Sequence, residues 1–372
     1  MRSRPWRGLL GGALLVAVPL ALVGCVENAT QTPIEQPHQP QNFLEPVGRF
    51  AVELDSLWNL VLALALVIFV LVEGLLLFSI FRYRERRGED RRLPKQIHGN
   101  PRLEALWTII PALLLAGVAF PTVRTLFLLA DEPPDALRVQ VIGHQWWWEF
   151  AYPDYPQLKT ANILHIPTGR TVFLEMTSAD VIHSFWVPKL SGKQDTVPGR
   201  TSILKLETDE PGTYFGQCTE YCGLSHANMR LRVVATPPSD FEAWAREQAT
   251  PQRIGDETGL AAQGAQLFAG QQCTACHTIR GYPGAGGTTG PDLTYFSDRE
   301  WFAGAIFENS DENVRRWLAD PPAMKPMQPP APPGQQLAEG QTAVAGMPDL
   351  GLNPDEIEAL LAFLRTLRSP PH

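Results

Sequence analysis

The chain has 372 residues, a formal net charge of −8 and 44% hydrophobic residues. It is long enough for two or three compact units, and it lacks the basic balance that nucleic-acid binding requires, so we expect no nucleic acid among its partners. These averages conceal a partition, because the long apolar runs all lie in the first third of the chain. The sequence therefore predicts a membrane anchor followed by domains outside the membrane.

The N-terminus carries three arginines ahead of an apolar stretch that ends abruptly, which is typical of a secretion signal. Leu22–Cys25 resembles the lipobox of bacterial lipoproteins. The resemblance implies a signal peptide over residues 1–24, a lipid on Cys25, and a mature outer segment over residues 25–53 that is anchored in membrane lipid. An ordinary signal, or an uncleaved anchor with an incidental cysteine, stays open as the alternative.

Two longer apolar runs each exceed the roughly 20 residues that cross a bilayer core. We predict transmembrane helices over residues 54–81 and 104–130, joined by a loop over residues 82–103. The excess of arginine in that loop assigns it to the cytoplasm by the positive-inside rule. Both mature termini and the later domains are then expected on the outer face of the membrane.

Two acidic residues lie in these predicted helices. Glu73 is deep in the first span, where a charge is costly, so it should face protein or water, and the sequence does not identify its partner. Glu104 begins the second helix. A solvated acid at a helix start is as good an interpretation of Glu104 as a functional role.

The remainder of the chain divides into a β domain, a linker and a helical domain. Short alternating strands punctuated by Pro and Gly predict an antiparallel sandwich or barrel over residues 135–236. Residues 237–256 are a linker with a short amphipathic helix between prolines. Residues 257–369 form a small helical domain, and its last helix begins after Asn353 as the N-cap.

A C-x-x-C-H motif at residues 273–277 is the attachment site of c-type haem. Cys273 and Cys276 would form two thioethers to the porphyrin, and His277 would bind the iron. A thioredoxin-like redox pair is the main alternative, but it needs a βαβ setting that the surrounding sequence lacks.

The sixth iron ligand is expected from a methionine downstream, because a thioether raises the haem potential and suits an electron carrier. Met324, Met327 and Met347 are the candidates, and Met347 is favoured because it lies just before the terminal helix. Residues 290–293 resemble the loop that packs against the haem histidine in small cytochromes c.

Residues 217–229 place two cysteines, a histidine and a methionine at regular spacing. A disulfide between Cys218 and Cys222 would leave His226 and Met229 unexplained, and a methionine is foreign to zinc sites. The spacing from Cys222 to Met229 resembles the ligand loop of a cupredoxin. The additional thiolate of Cys218 would allow two thiolates to bridge two copper ions.

A second imidazole must come from upstream of this loop. His183 leads by spacing, and His144 and His165 compete with it. A lone histidine near a strand end is more often structural than ligating, so the spacing alone leaves the choice open.

Together these motifs resemble subunit II of the haem–copper cytochrome c oxidases, in the bacterial caa3-type variant with a fused C-terminal cytochrome c domain. The resemblance covers roughly residues 45–367. It implies a multidomain fold with a two-helix transmembrane hairpin, an all-β cupredoxin-like barrel and a small all-α cytochrome c domain. It also implies a binuclear copper centre, CuA, held by the side chains of His183, Cys218, Cys222, His226 and Met229 and by the backbone carbonyl of Glu220.

The same resemblance implies roles for three further groups. The Glu220 side chain would reach a Mg²⁺ or Mn²⁺ at the boundary with subunit I. Trp146 would pass electrons into CuA, although a buried aromatic cluster beneath the copper loop is the alternative, and its position relative to the haem domain stays open. Glu104 would lie near the mouth of a proton channel of subunit I.

The implied function is electron entry into a proton-pumping respiratory oxidase of the bacterial plasma membrane. Electrons would pass from cytochrome c or another single-electron donor through haem c and CuA to haem a and the oxygen-reducing site of subunit I, with subunit III as a further partner. The alternatives are the electron-entry subunit of a CuA-type nitric oxide reductase, a non-enzymatic copper-binding lipoprotein and a freely acting electron carrier.

Overall fold

A computed structural model describes residues 42–84, 96, 99–251, 257–271, 273–327 and 346–369 of the protein. The predicted signal peptide, the proposed lipid site at Cys25, most of the predicted cytoplasmic loop and part of the predicted linker lie outside these residues.

Among the residues that the structure describes, two helices are long and apolar enough to cross a membrane: α1, Arg49–Arg82, and α2, Pro101–Ala130. Both begin a few residues earlier than predicted. The first turn of α1 extends beyond the apolar run because Phe50 is buried against the β domain and the Arg49 amide donates to the carbonyl of Glu207. Within the described residues, Glu73 has no hydrogen-bonding or ionic partner inside the chain.

The start of α2 is set by a cap. The Asn100 side chain accepts hydrogen bonds from the Arg102 and Leu103 amides, and Pro101 occupies the first helical position. Both features are typical of helix N-termini, which have amides without intrahelical acceptors. The Glu104 carboxylate accepts the Asn100 amide at 3.1 Å, so this acid also takes part in the cap.

The β domain consists of ten strands in two five-stranded sheets. The strands are β1 Leu137–His144, β2 Trp147–Ala151, β3 Lys159–Ala161, β4 Ile163–Pro167, β5 Val172–Ser178, β6 His183–Trp186, β7 Lys193–Thr196, β8 Ser202–Leu206, β9 Gly212–Cys218 and β10 Arg230–Thr236. One sheet has the order β3-β2-β1-β5-β8, and the other has the order β4-β10-β9-β6-β7. The two inner faces enclose a core that includes Trp148, Phe150 and Phe185.

The expectation of a purely antiparallel arrangement is wrong at two strand pairs, because β1 with β5 and β4 with β10 pair in parallel. The chain leaves the first sheet after β3, adds β4 to the second sheet and returns as β5 beside β1. Because the chain crosses between the sheets here and does not turn back in a hairpin, β5 runs parallel to β1. His183 is the first residue of β6.

A buried lysine joins the β domain to the membrane anchor. Lys205 of β8 donates to the carbonyls of Asp131, at 2.6 Å, and Leu128, which lie at the C-terminal end of α2. The last carbonyls of a helix lack intrahelical donors, so a cation at this end is favourable.

The last domain is built mainly from helices around its own apolar core. Its elements are α4 Gly259–Gly270, α5 Cys273–Cys276, the strands β11 Trp301–Phe302 and β12 Phe307–Glu308, α6 Asp311–Ala319, α7 Pro321–Met324 and α8 Pro354–Leu364. The predicted N-cap of α8 is confirmed, since the Asn353 side chain accepts the amides of Asp355 and Glu356. Helices α4 and α8 cross at Gly264, where a Cβ atom would lie 1.9 Å from the carbonyl oxygen of Ala359.

The helix predicted inside the linker is α3, Pro238–Gln248. Its apolar side chains Phe241 and Ala245 are buried in the core of the β domain. The apolar face of the helix is thus covered by the barrel, as expected of an amphipathic helix.

Candidate copper and haem sites

The predicted copper ligands within residues 218–229, referred to here as the copper loop, lie together. Cys218 and Cys222 are free, buried thiols whose sulfur atoms are 3.8 Å apart. Cys222 Sγ lies 3.6 Å from His226 Nδ1 and 3.8 Å from Met229 Sδ. The backbone carbonyl of Glu220 lies 3.2 Å from Cys218 Sγ. All the predicted donors from this loop therefore face one point.

The sixth predicted donor comes from β6. His183 Nδ1 lies 4.0 Å from Cys218 Sγ, and ligand atoms of His183, Cys218 and Cys222 all lie within 4.8 Å of one another. The competing histidines lie elsewhere, since His144 stacks on Trp147 and His165 stacks on Trp244. The geometry therefore favours His183 among the three histidines.

The contact between the two thiols shifts their pKa values in opposite directions. The hydrogen bond with Cys222 lowers the pKa of Cys218, whereas the same contact and burial raise the pKa of Cys222. Two thiolates this close repel each other unless a cation lies between them. With thiolate–metal bonds of about 2.3 Å, two sulfur atoms 3.8 Å apart can both reach one metal ion. The donor set fits thiolate-bridged copper.

Sequence reasoning missed Asp180, which orients His183. The His183 Nε2–H donates to the Asp180 carboxylate at 2.8 Å, which leaves Nδ1 directed at the sulfur atoms. Burial disfavours the imidazolium, but the hydrogen bonds to Asp180 and Cys218 outweigh it and raise the pKa of His183. A carboxylate behind a ligating histidine fixes its tautomer and its ring. The only signal in the sequence was an acid three residues before the histidine.

Trp146 contacts the copper loop directly. Its indole N–H donates to the Cys222 carbonyl at 3.1 Å, and the Gln145 side-chain amide donates to the same oxygen at 2.7 Å. Gly223, at φ +111°, allows this approach, because a Cβ there would lie 3.2 Å from the Trp146 ring. The indole is 2% exposed, so Trp146 also belongs to a buried aromatic cluster.

The predicted haem residues surround a cavity of about 560 Å³. Cys273, Cys276 and His277 lie on its wall together with Met347 and apolar side chains that include Phe268, Leu293, Leu352, Leu360 and Leu364. A planar macrocycle needs an apolar slot with two attachment thiols and axial ligands, and these residues provide all of them. The cavity fits a covalently attached haem.

The proximal side of this cavity is fixed by the loop that the sequence singled out. His277 Nδ1 lies 2.8 Å from the carbonyl oxygen of Pro291, so Nδ1–H donates and Nε2 is left for iron. A Cβ atom at Gly290 would lie 2.7 Å from the His277 ring. Burial lowers the pKa of His277, which favours the neutral imidazole that binds a metal.

The three candidate methionines have different surroundings. Met324 does not line the cavity, whereas Met327 and Met347 do. Met347 packs on the core of the haem domain, and the Trp317 indole N–H donates to its sulfur at 3.2 Å. Met327 packs instead on the core of the β domain. This environment favours Met347, and Trp317 is a second residue that sequence reasoning missed.

One wall of the haem cavity belongs to the other domain. His144, Trp146, Trp147 and Asp180 of the β domain line it together with residues of the haem domain. Trp146 therefore lies between the cavity and the copper loop, which answers the question of where it stands relative to the haem domain.

The side chains of two predicted residues take no part in either site. The Glu220 side chain is exposed, and in the described part of the chain it belongs to no close group of three metal-binding side chains. Glu104 lies on α2 and is exposed at the surface of this chain.

Family profiles match the three parts of the chain separately. "Cytochrome C oxidase subunit II, transmembrane domain" matches residues 39–125, and "Cytochrome C oxidase subunit II, periplasmic domain" matches residues 155–236. "Cytochrome c" matches residues 261–368.

Similar full-length proteins are named cytochrome c oxidase subunit 2. That of Alkalihalophilus pseudofirmus is 39% identical over 82% of this chain and 85% of its own length. Those of Bacillus sp. strain PS3 and Bacillus subtilis are each 35% identical, over 77% and 86% of this chain and 80% and 90% of their own lengths.

The fold and the two sites define a membrane-anchored electron-transfer subunit with a copper domain and a haem domain. The chain belongs to the cytochrome c oxidase subunit II family, in the form with a C-terminal cytochrome c domain. Binuclear copper CuA and covalent haem c are therefore its cofactors.

Proposed function

We propose that this protein is the electron-entry subunit of a proton-pumping haem–copper oxidase and that electrons pass from haem c to CuA within the chain. The observation that carries this order is the position of Trp146. Its indole lies on the wall of the haem cavity and donates a hydrogen bond to Cys222 of the copper loop. This hydrogen bond would connect the wall of the haem cavity to the copper loop.

The residues of the copper loop would hold CuA with little movement. Cys218 and Cys222 would hold the copper through their thiolates, His183 and His226 through their imidazoles, Met229 through its thioether and Glu220 through its backbone carbonyl. When bound, the copper pair accepts and releases one electron that is shared between its two ions. Burial of both cysteines and of Met229 excludes water, and the flanking strands β9 and β10 fix their positions.

In the haem domain, the proposed roles follow from the cavity wall. Cys273 and Cys276 would attach the macrocycle, and His277 and Met347 would be the axial ligands of the iron. The Pro291 carbonyl and the Trp317 indole hold the two ligands in place from behind. An imidazole and a thioether together give the relatively high potential that donation to a terminal oxidase requires.

The burial of Trp146 indicates where an external electron donor would bind. Because the indole is buried beneath the haem domain, an external donor would reduce haem c and not the copper loop. Subunit I would receive the electron from CuA, supply the remaining ligands of a Mg²⁺ or Mn²⁺ at Glu220, and use Glu104 at its proton-channel mouth. Subunit III would complete the complex.

The membrane arrangement is a further part of the proposal. The helices α1 and α2 are two spans, and the family is a membrane family. Both cofactor domains and both mature termini would face the outside of the bacterial plasma membrane, with Cys25 acylated as a further lipid anchor.

The function is tested on the complex purified from membranes. Oxygen consumption driven by a reduced cytochrome c, with proton release into the external medium of sealed vesicles, is the expected activity. Reduction of nitric oxide without proton pumping would favour the nitric oxide reductase, and copper that leaves reversibly without oxidase activity would favour a copper-delivery protein. The family match over most of the chain favours neither alternative.

A further inference from the structure

A short hairpin of the haem domain faces the β domain, which is called the copper domain from here on. The strands β11 and β12 and the turn between them, Trp301–Glu308, are referred to here as the docking hairpin. Its turn contains Ala303, Gly304 and Ala305 in succession, all with positive φ, at 54°, 90° and 55°. The left-handed conformation is energetically unfavourable for the two alanines on either side of Gly304. Such backbone conformations persist where contacts with neighbouring residues hold them.

Each of the two alanine carbonyls of this turn faces a buried cation. Lys325 Nζ donates to the Ala303 carbonyl at 3.2 Å, and Arg232 Nη2 lies 3.5 Å from the Ala305 carbonyl. Lys325 belongs to the haem domain, and Arg232 belongs to β10 of the copper domain. The guanidinium of Arg232 also lies 3.7 Å from the ring centroid of Trp301.

Lys325 connects the hairpin to Trp146. Its ammonium donates to the Trp146 carbonyl at 2.6 Å, and the residue is only 4% exposed. It has no carboxylate partner among the residues that the structure describes. Burial lowers the pKa of Lys325 to about 7, and its amine exchanges water for two carbonyls, one from each domain.

This buried amine favours one packing of the haem domain. Removing it from water is costly, and two carbonyls compensate only where both lie within hydrogen-bonding distance. Any other dry packing of the haem domain on the copper loop would leave the Trp146 carbonyl and one donor of Lys325 without a partner. Lys325 therefore disfavours every packed arrangement in which the haem domain is not seated over Trp146.

The fit around this contact is close. A Cβ atom at Gly304 would lie 2.5 Å from the Asn228 carbonyl of the copper loop and 2.8 Å from Lys325 Nζ. The Ser225 hydroxyl, one residue before His226, donates to the Pro326 carbonyl. On the opposite side, the Tyr295 hydroxyl donates to the Glu247 carbonyl of α3, which is itself packed on the barrel.

We propose that the docking hairpin seats the haem domain in one fixed position on the copper loop and that Lys325 is the positioning residue that locks it there. The haem domain is then a fixed relay and not a tethered shuttle. One consequence, which rests on the proposed order of electron transfer, is that the step from haem c to copper proceeds at one rate set by this geometry.

The test uses the complete oxidase with the change Lys325→Met, which keeps the length of the side chain and removes its three donors. Hydrogen exchange is measured by mass spectrometry at residues 222–232 and 301–308. Loss of hydrogen bonds from a charged donor should raise exchange about tenfold or more at both segments. Lys189→Met is the matched control, because Lys189 is partly exposed and pairs with Glu45 on another face. The control should leave exchange at both segments unchanged.

A second variant keeps the lysine and strains the turn. Gly304→Ala should raise exchange at the same two segments, because its methyl group would overlap the Asn228 carbonyl. This variant decides the question if Lys325→Met does not assemble. The proposal that Lys325 fixes the haem domain is overturned if hydrogen exchange at both segments stays within twofold of the wild-type rate in the variants that assemble.

The rate of electron transfer from haem c to copper is measured in the same preparations after photoreduction of haem c, with both midpoint potentials determined. The lock predicts a rate at least about tenfold lower in Lys325→Met, with the haem and copper spectra retained. A slower rate with unchanged exchange would contradict the lock, since Lys325 would then act on Trp146 alone. Faster exchange with an unchanged rate would refute the fixed relay. Loss of oxidase activity with normal transfer would count against the proposed function and not against the lock.

Discussion

The copper site and the haem cavity are built in opposite ways. All predicted copper donors except His183 come from residues 218–229, and His183 comes from a neighbouring strand of the same sheet. The haem cavity takes its attachment residues from one domain and a wall with Trp146 from the other. A local site depends on short loops between rigid strands, whereas a shared cavity depends on how two domains are docked.

The largest expected effect is at the local site. Cys222→Ser removes one bridging thiolate, so copper should be lost or held singly and oxidase activity should fall by more than roughly 100-fold, since even changes behind a ligand cost 10–100-fold. Metal analysis and electron paramagnetic resonance check this result. The haem c spectrum is the internal control, and it should not change. A variant with two coppers and wild-type activity would refute the assignment.

In the haem cavity, Met347→Ala should remove the thioether ligand. The low-spin spectrum should be lost, and the midpoint potential should fall by on the order of 0.1 V, within the roughly 0.8 V range that axial ligands span. Met327→Ala is the matched control, because Met327 also lines the cavity but packs on the copper domain. If the control and not Met347→Ala changed the spectrum, the two assignments would be exchanged.

A smaller effect is expected at the junction of the two sites. Trp146→Phe keeps an aromatic ring but loses the hydrogen bond to the Cys222 carbonyl, so transfer from haem c to copper should slow by about tenfold. Time-resolved absorption after photoreduction of haem c gives this rate. Trp147→Phe is the control, since Trp147 lines the same cavity and stacks on His144 without a bond to the copper loop. Equal slowing in both variants would contradict a special role for Trp146.

The smallest effect concerns a histidine outside both sites. Burial lowers the pKa of His165 to about 3, from 6.5 in the unfolded chain. Between these values the unfolded state binds more protons, so stability is lost as the pH falls below 6.5, by roughly 2 kcal/mol at most at pH 5. His165→Phe, which keeps the stacking on Trp244, should weaken this loss in thermal unfolding at pH 5 and pH 7. The same pH dependence in wild type and variant would contradict the assignment.

The sequence alone predicted the local site better than the shared one. Ligand spacing within residues 218–229 is short-range information, and the structure brings those donors together. The two parallel strand pairs, the Asp180–His183 pair and the bond from Trp317 to Met347 depend on how separate segments pack. Lys325 and Trp146 are 179 positions apart, and no pattern in the sequence connects them.

The copper pair and the c-type haem in one chain are tested together by electron paramagnetic resonance and absorption spectra of the purified oxidase during stepwise reduction. We expect one unpaired electron shared by two copper nuclei, absent from Cys218→Ser, together with one c-type haem. A hyperfine pattern from a single copper, or a copper signal that persists in Cys218→Ser, would contradict it.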